Sequence, residues 1–146
     1  MHKTALFATF LSLLFLCTNL VAQDTHIGLW TGEDKGDVGF INFDTAGYAF
    51  FVVDEDTLGG RSFDMGGQLG YMKYAVDYSE TPHWIDFIMY TLDYDVEVGR
   101  IMGIFEYDET GRMMLCLDFD SPARPGTFEE EGTIVLSRVD IPVKRE

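Results

Sequence analysis

The sequence predicts an all-β protein, an eight-stranded antiparallel up-and-down barrel with no substantial helix after its first two dozen residues. Three observations carry this. Helical periodicity is absent beyond residue 24. In its place, short runs rich in Val, Ile, Phe, Tyr and Thr are punctuated by Gly, Asp and Pro. The gaps between runs are mostly short, which makes successive strands antiparallel neighbours, and closing such a sheet on itself removes its exposed edges.

The expected strands cover residues 26–31, 37–43, 46–53, 68–78, 83–92, 98–107, 112–119 and 132–139. Asp44-Thr-Ala-Gly47 and Asp108-Glu-Thr-Gly111 each offer a type I turn followed by a glycine able to take positive φ. Ser79-Glu-Thr-Pro82 is a further turn. Two connections are long, 55–67 and 120–131, and the first reads as a mobile loop because it holds Gly59-Gly60 and Gly66-Gly67. Alternation sets Met113, Leu115, Leu117 and Phe119 on one side of their strand, and Ile101, Phe105 and Tyr107 on one side of theirs. The strand 83–92 is apolar on both sides, which predicts that its outer side meets a loop or partner, or that aromatics line a cavity.

Ahead of this domain, residues 1–23 read as a cleaved secretory signal, leaving 24–146 as one domain. His2 and Lys3 supply a basic start, Ala5 to Cys17 an uncharged apolar run, and cleavage falls after Ala22 or Gln23. The run is shorter than the ~20 residues a spanning helix needs, so no membrane insertion is expected after cleavage. Cys17 leaves with the leader, so Cys116 stands alone without an intrachain disulfide. An exported domain without disulfides fits a bacterial periplasm or the medium. All 25 acidic residues follow the leader while Lys3 goes with it, leaving 9 basic residues and a formal net charge of −16. Such a charge repels phosphate backbones, which excludes nucleic acid as a partner.

Gly28-Leu29-Trp30 opens the first strand with a G-x-W pattern, and the last strand carries Arg138. Further on come Pro82-His-Trp-Ile-Asp86, Gly103-Ile-Phe-Glu-Tyr107, Leu115-Cys-Leu117 and Arg124-Pro-Gly-Thr-Phe128. In this order they are similar to a family of small exported bacterial lipocalin-like domains, over most of residues 26–139. The chain departs from that pattern at Phe105 and Gly126. The resemblance implies a lipocalin-like barrel in which Trp30 closes one end and Arg138 packs across the indole, with Gly28, Trp30 and Arg138 as a structural signature. A guanidinium over an indole is worth about 0.5–2 kcal/mol.

The pocket expected from residue chemistry consists of Tyr71, Tyr74, Trp84, Met89, Tyr90, Met102 and Met114, with Arg124 either anchoring an anionic group at the mouth or bonding loop carbonyls as a structural arginine. No phosphate loop, nucleophile elbow or Cys/His metal cluster is found, so no cofactor, metal or enzyme activity is expected. His83 and Asp86 lie three apart on a strand and so face opposite ways. Asp93, Asp95 and Glu97 alternate onto one face if extended, and read as a solvated strand face or hairpin tip rather than a cation site. The sequence therefore predicts an exported binding protein for a small apolar or amphipathic ligand. The alternative is a non-catalytic structural or interaction module with a filled barrel and a protein partner or homodimer.

Overall fold

The computed structural model describes residues 25–34, 37–129 and 131–140; the expected leader lies outside the described residues. Ten strands follow one another: β1 Gly28–Asp34, β2 Asp37–Phe43, β3 Ala49–Val53, β4 Asp56–Gly59, β5 Phe63–Asp64, β6 Leu69–Asp77, β7 His83–Thr91, β8 Glu97–Tyr107, β9 Met113–Leu117 and β10 Thr133–Arg138. Every pairing is antiparallel, and in the order β4-β3-β2-β1-β10-β9-β8-β7-β6-β5 chain neighbours pair throughout except β4 and β5, which form the two ends of the sheet. The first and last strands join through Trp30 opposite Arg138. The remaining seam, between β3–β4 and β5–β6, is narrowed by a Tyr48–Lys73 bridge and by Met72 N donating to Gly60 O at 2.9 Å. The result is a nearly closed all-β barrel without helix among the described residues.

The strand number corrects the expected eight. Both extra strands, β4 and β5, lie in the 55–67 connection that its glycines marked as a mobile loop. Gly59 is buried there at φ 103°, and a Cβ would stand 2.7 Å from the Ala49 carbonyl oxygen. The glycine is a close-approach residue, letting this segment lie against the barrel seam.

Both Asp-x-x-Gly turns form as expected. Asp44 Oδ1 accepts from the amides of Ala46 and Tyr48, and Gly47 takes φ 88°. Asp108 Oδ1 accepts from the amides of Thr110 and Arg112, and Gly111 takes φ 83°. The carboxylate satisfies the turn amides, and the glycine supplies the twist that returns the chain.

Inward side chains fill the barrel from one end. Phe51 lies 4.7 Å from Phe87 between ring centroids, and Phe43 lies 5.9 Å from the same ring. Met72, Ile85, Phe105, Met113 and Leu115 complete this layer at zero exposure. Trp30, also fully buried, donates its indole N–H to His26 O at 2.8 Å. The Arg138 guanidinium lies 4.3 Å above the indole and donates to the carbonyls of Ile27 and Thr25. The Tyr78 and Tyr107 hydroxyls share a 2.9 Å hydrogen bond beside it, and His26 Nδ1 lies 2.9 Å from the same Tyr78 oxygen.

Replacing Arg138 by Met, which keeps the aliphatic stem and removes the guanidinium, should cost roughly 1–3 kcal/mol, read as a lower urea midpoint. An unchanged midpoint would show that the cap carries no stability. A second expectation concerns pH. Burial pushes the Tyr107 phenol above its ordinary 10.0. A group whose pKa is raised by folding contributes fully below its unfolded pKa, and that contribution fades as pH climbs past it. The urea midpoint should therefore fall from about pH 9 to pH 11, and fall less steeply in Tyr107→Phe. Parallel slopes for the two proteins would contradict this.

Candidate functional site

At the end opposite Trp30, the inward positions of β1, β2 and β10 become small. Gly32 lies opposite Gly39 and Leu136, and Gly39 lies opposite Val53. Here the barrel holds a cavity of about 340 Å³. Its wall is formed by Ile41, Phe51, Val53, Leu117, Ile134 and Leu136, with Gly32, Gly39 and Gly132 between them and Phe119 at the rim. Ile41, Phe51, Leu117 and Leu136 also belong to the packed core, so the cavity is its unfilled continuation. Among the described residues, Asp37 is the one ionisable side chain on this wall. Thr133 also contributes, although strand alternation turns it to the side of Cys116 rather than that of Ile134; its Oγ1 is buried without a hydrogen-bond partner.

The structure does not gather the residues expected to form a pocket. Tyr74 and Met89 pack against the core. The other members lie on the outer wall or on the connection against it. Tyr71 stacks on Tyr90 with centroids 5.1 Å apart, and its hydroxyl donates to Asp95 Oδ1 at 3.0 Å. Trp84 is 40% exposed, and the Arg124 guanidinium lies 4.4 Å above its ring. Met102 stands opposite Asp86 on the same wall, and Met114 opposite Glu106. The physical reason is alternation. Inward positions of β7 are 85, 87 and 89, so Trp84 and Tyr90 must point out.

Arg124 is a latch rather than a mouth anchor. Its Nη2 lies 2.7 Å from Asp86 Oδ1, and its Nη1 donates to Gly103 O at 2.8 Å and to Ile85 O at 3.3 Å. Asp86 also pairs with Arg100 at 2.9 Å. Beneath the Arg124–Trp84 contact, Trp84, Ile104, Cys116 and Thr133 form one cross-strand row. Ile104 is 1% exposed and Cys116 3%, although both face outward. The connection between β9 and β10 therefore lies against the wall. This accounts for the apolar outer side of the 83–92 strand: it meets a loop.

His83 faces inward, its Nδ1 2.9 Å from Glu80 O and its ring 5.2 Å from Phe105, while Asp86 faces out. The two do not meet. Of the two readings of Asp93, Asp95 and Glu97, the hairpin tip holds and the extended face does not, because residues 92–96 turn between β7 and β8. Asp95 takes φ 54°, and Glu97 forks onto Arg100 at 2.8 and 3.2 Å. Phe119, expected beside Leu117 on a buried face, lies beyond β9 and is 68% exposed.

In a Cys17→Ser background, Arg124→Ala should release the latch and raise the labelling rate of Cys116 by a thiol reagent roughly tenfold or more. A rate equal to that of the parent would show that the wall is covered without Arg124. Comparison with known proteins yields no matching family model, curated protein or solved structure.

Proposed function

We propose that this chain is an exported, lipocalin-like binding protein that holds a small apolar or amphipathic molecule at the mouth of its barrel. The observation that carries the reading is the 340 Å³ cavity, continuous with a tightly filled core yet left unfilled at one end. Ligand sites are commonly concave, mostly apolar and about 300–1,000 Å³, and barrel mouths are frequent hosts. Export is supported by the leader-like sequence of residues 1–23. Trp30 under Arg138 agrees with the lipocalin-like resemblance.

A second reading, a protein-interaction module, draws on the β7–β8 hairpin. Leu92, Tyr94, Val96 and Val98 stand exposed there, Tyr94 at 79%. That reading needs no ligand.

Isothermal titration with 1-decanol separates the two. The protein should bind it at the mouth, and Val53→Trp, which places an indole on a wall position already half open to solvent, should weaken binding at least about tenfold. Equal binding by both proteins, or none by the parent, would overturn the cavity reading.

A further inference from the structure

The cavity wall is apolar, but its surroundings carry one sign of charge. Asp37 lies on the wall itself. Asp54, Asp118, Asp120 and Glu131 lie in the connections at this end, each next in sequence to a wall residue and exposed; Glu33, next to Gly32, is exposed as well, although alternation turns it to the outer side of β1. None of the six pairs with a described cation.

The described cations lie elsewhere. The described residues of the connections 54–55, 65–68, 92–96 and 118–132 at the mouth end hold eight acidic side chains against one basic one, Arg124. Lys35 lies outside the described residues; Arg124 is committed to Asp86 and Trp84 on the outer wall. Arg100 is held between Glu97 and Asp86, Arg61 between Asp44 and the Tyr48 ring, and Arg112 on Asp108. Arg138 is spent on Trp30 at the opposite end.

A low-dielectric hollow beside carboxylates of one sign focuses field toward its opening. Such an opening attracts a positive head group and repels a negative one, while the wall accepts an apolar body. We infer that the mouth selects cationic amphiphiles: molecules with a compact apolar body and a protonated amine, the body in the cavity and the ammonium among the carboxylates around Asp37. The cavity is the site, and the carboxylates decide what it takes. The inference rests on the proposed binding function and narrows its ligand class. It also reverses the expectation that Arg124 would receive an anionic group.

The test uses three probes of one chain length, decylammonium, 1-decanol and decyl sulfate, titrated into protein expressed from the full 146-residue sequence. At low ionic strength decylammonium should bind roughly tenfold or more tightly than decanol, and decyl sulfate more weakly than decanol. The preference should shrink as salt is raised. Asp37→Asn combined with Asp54→Asn should bring decylammonium toward decanol and leave decanol unchanged. These positions are exposed, so the variant should fold, and circular dichroism checks that it does. Val53→Trp should weaken all three probes, which separates cavity binding from adsorption of amine to an acidic surface. If decanol binds but decylammonium binds no better, or the double variant keeps the full preference, the charge selection is wrong and the cavity reading stands. If Val53→Trp leaves amine binding intact, the amine is held on the surface and the inference falls. If no probe binds, both readings fail.

Discussion

Closure of the sheet depends on one contact, the indole of Trp30 between the first and last strands. Trp30 stands opposite Arg138 in the β1–β10 register, so the pairing that joins the chain's two ends also brings the guanidinium over the ring. The indole N–H is satisfied by His26 O, so the ring's one donor is paired. Gly28 sits where a Cβ would lie 2.8 Å from Arg138 Nη1, so the glycine keeps the cap in contact. One residue thus joins three jobs: it seals the floor, sets the register of the closing pair and seats the first layer of the core.

Packing above that floor follows from the alternation it fixes. With the register set, Phe43, Phe51, Phe87 and Phe105 all point inward and fill the lower barrel. The same parity turns Trp84, Asp86 and Ile88 outward on β7. An outward apolar row would be a liability on a free surface, and the β9–β10 connection lies against it through Arg124. The Arg124–Asp86–Arg100 ion pairs sit at the edge of this covered wall, where partial burial makes a charge useful only if it is paired.

Much of this architecture is legible in local chemistry. Seven-residue β2 has the bounds the alternation of Asp37–Phe43 implies, and both Asp-x-x-Gly turns follow from one carboxylate and one glycine. Trp30 and Arg138 are readable as a pair through the G-x-W resemblance rather than through local chemistry, and the structure sets the guanidinium over the indole. What stayed hidden has a common cause. β4 and β5 are too short to show a period, and Gly59 reads as flexibility when its neighbours use it for close approach. The outward turn of Tyr71, Trp84 and Tyr90 depends on parity against partners far along the chain. Residue chemistry alone does not carry that information.

The candidate site shows the same limit from the other side. Large aromatic and sulfur side chains suggest pocket walls, yet in a barrel of this size such groups consume volume rather than create it. The hollow is lined instead by Gly32, Gly39 and Gly132 and by modest aliphatics such as Val53 and Ile134. At Gly32 a Cβ would stand 2.7 Å from Leu136 Cδ2, so the missing methyl lets Leu136 pack close across the β1–β10 pair. At Gly39 a Cβ would stand 3.1 Å from the Val52 carbonyl oxygen, a tight but less severe approach. The glycines therefore act twice. They bring strands β1, β2 and β10 together, and they add no side chain of their own to the cavity wall. A sequence search for a barrel's cavity is better aimed at inward positions too small to meet across the barrel than at the residues most suited to touch a ligand.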